Sequence, residues 1–129
     1  MGQGYIIDSN VIIDYTGCQL PQKGSDFVEH LFNTDFLISV VVKIEVLGFD
    51  DVPDKLLAVE EFINSATIIA LDDLITEQTI LLRRKYKKIK LPDAIIAATA
   101  VVNNLILITR NSKDFENIQE LKILNPHGL

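Results

Sequence analysis

The stretch YIIDSNVIIDY, residues 5–15, decides how the rest of the chain is read. Three large side chains, Tyr5, Ile6 and Ile7, run without a polar break into Asp8, and Ser9 and Asn10 follow. A short apolar run with no alternation is the pattern of a strand covered on both faces, as in a parallel sheet. An acid at the end of such a strand calls for a reason, because an unpaired buried carboxylate is costly.

Working outward, similar runs occur at Phe36–Val40, Thr67–Leu71, Leu105–Thr109 and, more weakly, Leu121–Leu124. Helical patterns separate them. Ser25 or Asp26 is expected to cap a helix carrying Phe27, Val28, Leu31 and Phe32. A short helix over Val42–Leu47 stops at Gly48, and one over Asp54–Ser65 sets Leu56, Val59 and Ile63 on one face. Asp72 or Asp73 caps a longer helix on which Leu74, Leu81, Leu82, Tyr86 and Ile89 keep helical spacing. On that helix Arg83 and Lys87, and Arg84 and Lys88, stand four apart and form a basic ridge. A last helix, PDAIIAATAVVN at 92–103, is apolar nearly all round and is expected to be buried. Strands alternating with helices give an α/β fold: one domain over 1–129, with a central parallel sheet of four to five strands flanked by helices.

Composition narrows the classes. Hydrophobic content of 48% and charged content of 23% are those of a folded domain. Cys18 is the single cysteine, which excludes an internal disulfide and a cysteine-built metal site and fits a reducing cytoplasm. The start, MGQGYIID, lacks the basic and apolar parts of a signal peptide. No apolar run approaches the roughly 20 residues that cross a bilayer. The net charge of −6 hides an asymmetry: residues 83–90, RRKYKKIK, hold six of the twelve bases, leaving eighteen acids against six bases elsewhere. A basic stripe beside an acidic site, or a solvated helix face, accounts for that split.

Four acids occupy corresponding places. Asp8 ends the first strand, and Asp114 follows the strand that ends at Thr109, in RNSKDF. Glu45 lies on the short helix after the second strand, and Asp93 in the first turn of the buried helix. Each has a structural role open to it, such as helix capping, a dipole contact or plain exposure. Together they fall where a parallel sheet gathers side chains, beyond the carboxyl ends of its strands. Clustered carboxylates repel, and oxygen-only ligation suits Mg²⁺ or Mn²⁺. Such ions activate water and stabilise phosphoryl displacement.

The segments YIIDSNVIIDY (5–15), ISVVVKIEVLGF (38–49), KLPDAIIAATAV (90–101) and LILITRNSKDFENI (105–118), with LKILNP (121–126), resemble the PIN-domain family and within it the VapC type of toxin. The resemblance implies a Mg²⁺- or Mn²⁺-dependent ribonuclease whose acidic ligands are Asp8, Glu45, Asp93 and Asp114. It gives Ser9, Asn10 and Thr109 supporting places. In some members the fourth acid stands where Asn111 stands here, which leaves Asn111 or Asp114 as the fourth position. It also implies a homodimer, a cognate antitoxin protein, and tRNA or ribosomal RNA as substrate.

On this reading, hydrolysis by water leaves a 5′-phosphate and a 3′-hydroxyl. The ridge of Arg83, Arg84, Lys87 and Lys88 binds RNA backbone, and Arg110 holds a phosphate near the metal. His30, mid-helix, and His127, at a frayed tail, are expected on the surface and outside the chemistry. The alternative is a PIN-like module that binds RNA or a partner without cutting. A receiver domain lacks support, because Ser9-Asn10 replace its acid pair and Ala70-Leu71 end the third run. Asn10 also stands where a haloacid-dehalogenase-type phosphatase needs a second aspartate.

Overall fold

All five apolar runs become strands of one sheet in the computed structural model, which describes residues 3–129. The strands are β1 (Gly4–Ile7), β2 (Leu37–Ser39), β3 (Thr67–Ile69), β4 (Leu105–Ile108) and β5 (Lys122–Leu124). Every pairing is parallel, in the order β3-β2-β1-β4-β5. The order reverses between β1 and β4, whose register sets Ile7 beside Ile108. Asp8 and Thr109, the next residues, therefore leave the sheet together at its switch point.

The strands are apolar because helices cover both faces. Ile6, Ile7, Ile38, Leu107 and Ile108 are fully buried. The helices are α1 (Ser9–Thr16), α2 (Gln22–Asn33), α3 (Val40–Leu47), α4 (Pro53–Ser65), α5 (Asp73–Lys85), α6 (Leu91–Val102) and α7 (Ser112–Phe115). On α6, Ala94, Ala97, Ala98 and Ala100 are fully buried, as its composition requires. Tyr15, Phe32, Phe36 and Phe62 form an aromatic cluster continuous with this core, with edge contacts except for the tilted Phe32–Phe62 pair.

Several boundaries differ from the sequence expectation. Helix α2 begins at Gln22, before Ser25 and Asp26, and buries Gly24 against the tail. A β-carbon on Gly24 would collide with the carbonyl oxygen of Pro126. Val40 belongs to α3 rather than β2, because the Ser39 hydroxyl accepts from Val41 N and starts the helix. Asp72, not Asp73, caps α5 by accepting from Ile75 N. Helix α6 is not the last, since Asp114 lies on the short α7.

The basic ridge is corrected more sharply. Helix α5 ends at Lys85, and Lys87 and Lys88 fall in the following turn, so the four-apart pairs with Arg83 and Arg84 do not form. Tyr86 ends the helix because its hydroxyl is fixed elsewhere, donating to Glu120 at 2.7 Å and accepting from Gln119 N at 3.0 Å. No helix among the described residues is long and apolar enough to cross a membrane.

Candidate active site

Asp8 is the fixed point of the site. It caps α1, its Oδ1 accepting from Ser9 N at 2.8 Å. Its Oδ2 accepts from Thr109 Oγ1 at 2.8 Å and Asn10 Nδ2 at 3.1 Å. Asn10 in turn accepts from Arg110 N at 3.0 Å, and Asn111 N donates to Thr109 Oγ1 at 3.1 Å. These bonds lock β1 to the end of β4. All the donors to Asp8 are neutral, so burial outweighs them and holds its pKa above the ordinary 3.8.

Glu45 and Asp93 approach from either side. Ser9 Oγ lies 3.3 Å from Glu45 Oε1 and 3.5 Å from Asp8 Oδ1, tying α3 to the strand end. The pKa of Glu45 is raised by desolvation, then by the charge of Asp8 and, less, that of Asp93. That of Asp93 is raised by desolvation and by Asp8 and Asp114, with Lys90 opposing. The four acids thus feel one another across a single edge, although they come from four segments of sequence. Asp93 and Asp114 line one crevice; Asn111 is exposed and contributes its backbone, giving Asn111 N to Thr109 and accepting from Asp114 N through its carbonyl at 3.0 Å.

The other expected residues are placed elsewhere. Arg110 does not face the acids: its Nη1 lies 2.9 Å from Asp14 Oδ1 and 3.1 Å from Oδ2. His127 is not frayed, since its Nε2 lies 2.9 Å from Asp14 Oδ2 in a short 3₁₀ turn. Asp14 was absent from the sequence reading; its partners are 96 and 113 residues away and no local spacing announces them. His30 is exposed on α2. Arg83 and Arg84 are exposed on α5, while Lys87 and Lys88 line the crevice with Asp93 and Asp114. Lys90 and Lys113, not singled out by sequence, line it too.

The donor set is oxygen-only and excess in negative charge, which fits a hard divalent cation. Among the described residues no three carboxylate, imidazole or thiol groups stand ready to hold one ion directly. An ion held there would complete its shell with water, as Mg²⁺ ordinarily does.

The class this defines is an α/β domain with an acidic switch point. A profile of the PIN domain matches residues 5–121, and the chain belongs to that family. Among solved structures it is similar to a chain of a toxin–antitoxin complex from Klebsiella pneumoniae, with 30% identity, a TM-score of 0.77, and 95% of this chain and 98% of that chain covered. DNA-bound VapBC from Salmonella typhimurium contains a chain of the same fold at 22% identity and TM-score 0.80, with 97% and 99% covered. FitAcB from Neisseria gonorrhoeae does so at 21% and 0.79, with 97% and 99% covered. No curated protein matches the chain.

Proposed function

We propose that the protein is a divalent-metal-dependent endoribonuclease acting as the toxin of a type II toxin–antitoxin pair in the cytoplasm. The observation that carries this reading is the meeting of Asp8, Glu45, Asp93 and Asp114 at the switch point, with no cationic side chain donating to Asp8. Mg²⁺ or Mn²⁺ held there would supply activation of water and neutralisation of phosphoryl charge. Thr109, Asn10 and Ser9 fix the carboxylate of Asp8, so it needs no reorganisation when substrate arrives. Glu45 and Asp93 have raised proton affinity and are less confined, which suits them to take the proton released by attacking water.

Toxin–antitoxin complexes among the similar structures support a protein partner. So does the surface beside Glu45, where Ile44, Leu47, Phe49 and Val52 are exposed together. A homodimer, and tRNA or ribosomal RNA as substrate, complete the proposal on family resemblance.

The test is incubation of purified protein with total tRNA and ribosomal RNA, with Mg²⁺, Mn²⁺ or EDTA, beside an Asp93→Ala control. The expected result is metal-dependent cleavage leaving 5′-phosphate and 3′-hydroxyl ends, absent from the control. Ends carrying a 2′,3′-cyclic phosphate, or cleavage that survives in Asp93→Ala, would refute it.

A further inference from the structure

Lys87, Lys88, Lys90 and Lys113 share one crevice of about 380 Å³ with Asp93 and Asp114. Both walls are built rather than loose. One is the turn after α5, which presents Lys87, Lys88 and Lys90. It is tied across by the Tyr86 hydroxyl to Glu120 and Gln119, by Lys85 to Glu120 at 3.2 Å, and internally by Ile89 N to Tyr86 O. The other is α7, which carries Lys113 and Asp114 and is anchored by buried Phe115 and by Ile118 just beyond it.

The basic segment therefore divides its labour. Lys85 is spent on Glu120, and Arg83 and Arg84, exposed on α5, are not among the residues that line the crevice. Among the described residues the ion pairs are Lys85–Glu120, Arg110–Asp14 and His127–Asp14, and none of the four crevice lysines joins one. Four unpaired ammonium groups around one hollow repel each other, and an anion relieves that repulsion. The far flank of the acids carries fewer bases: Lys55 lines a hollow there with Asp51, Asp54 and Phe49, beside exposed Ile44 and Leu47.

We infer that this crevice is a one-sided track for RNA backbone, in which Lys87, Lys88, Lys90 and Lys113 neutralise phosphates flanking the bond addressed by the acids. The inference rests on the nuclease reading for which bond that is. Lysines are point charges that suit phosphate oxygens without fixing base identity. The floor is apolar, with Ile89 and Ile118, and a single amide, Asn117, lines it. Such a surface positions the strand and leaves base reading elsewhere. An acidic protein segment is the competing occupant. RNA is favoured because it brings one fixed charge per nucleotide to four lysines that share the crevice with two of the acids.

The experiment is anisotropy of a short labelled single-stranded oligouridylate in EDTA, with salt varied between about 50 and 200 mM. Each neutralised phosphate on a single strand contributes about −0.7 to the slope of log K against log salt. Four lysines give a slope near −2.8, and each double substitution, Lys90→Gln with Lys113→Gln or Lys87→Gln with Lys88→Gln, flattens it by about 1.4. Arg83→Gln with Arg84→Gln leaves it unchanged. Thermal melts establish that each variant is folded. An unaltered slope in the lysine variants overturns the track. If those variants instead lose affinity for polyglutamate, the crevice belongs to an acidic protein. A slope flattened equally by the arginine pair also overturns it. Because binding in EDTA needs no turnover, a protein that fails to cut RNA can still show the track, and one that cuts normally can still lack it.

Discussion

Asp8 and Asp14 stand at opposite ends of α1 and are buried alike, 3% and 4% exposed. Their company differs completely. Asp14 meets Arg110 through both oxygens and His127 through one, so its charge is answered by side chains brought from the far end of the chain. Asp8 receives only neutral donors, and the charged groups that perturb its neighbours Glu45 and Asp93 are mostly further acids. Burial of an acid is therefore no mark of a site. The mark is a place where the fold withholds a cation it could have supplied, leaving the balance to something bound.

The comparison breaks most visibly in turnover. Outer partners of metal sites commonly cost about 10–100-fold when removed, so losing a central carboxylate should cost at least the upper figure. Asp8→Asn is expected to slow RNA cleavage by at least about 100-fold, or ~2.7 kcal/mol, while Asp14→Asn stays within about threefold of wild type. Asparagine still caps α1, so a lost helix does not explain the loss. Equal losses in both variants would erase the distinction.

Ion binding sharpens it without any reaction. At about 100 times its Kd, Mg²⁺ stabilises a folded protein by ~2.7 kcal/mol, a rise of several degrees in Tm. Calorimetry should show that rise for wild type and Asp14→Asn and not for Asp8→Asn. A rise retained in Asp8→Asn would place the ion elsewhere.

Stability should sort the pair the other way. Asp14→Ala removes an acceptor from Arg110 and His127, and charged hydrogen bonds of this kind are worth roughly 1.5–3 kcal/mol each. Arg110 is half exposed and can rehydrate, which discounts the loss to about 2 kcal/mol overall. Denaturant unfolding checks this; a change below about 0.5 kcal/mol would make the Asp14 cluster incidental.

Much of this was legible in sequence. Doubly covered strands announce themselves as unbroken aliphatic runs, whereas the pairing of β1 with β4, which brings their ends together, is visible only in the structure. The position of each acid at a strand end or on the helix that follows a strand or opens beside one is a local property, so spacing reveals it. What escaped depends on contacts between distant residues. The end of α5 is set by a hydroxyl whose partners are 33 and 34 residues away, and periodicity alone carried the helix through Tyr86 to Ile89. Arg110 looks free beside an acidic loop until Asp14 is seen beneath it. Strand ends shifted for a smaller reason: Ser39 can extend a strand or cap a helix, and tertiary packing chose the cap.

The smallest effect concerns the proton affinity of Asp8 itself. Its folded pKa lies above the ordinary 3.8, so folding favours the protonated acid. The associated stability is present in full below the unfolded value and is lost as pH rises through the folded one. In EDTA, Asp8→Asn should therefore gain on wild type as pH climbs through that window, measured by urea unfolding at successive pH values. Thr109 supplies the hydrogen bond that most opposes the shift. Thr109→Val should push the pKa of Asp8 higher still, widen the window, and cost about 1 kcal/mol near neutral pH, where the carboxylate is charged and has lost a donor. The same substitution in the Asp8→Asn background should lose most of its pH dependence, because no charge is left to respond. A Thr109→Val penalty that does not change with pH in the wild-type background would mean that the threonine serves packing alone, and that Asp8 is not held in check by the neutral donors around it.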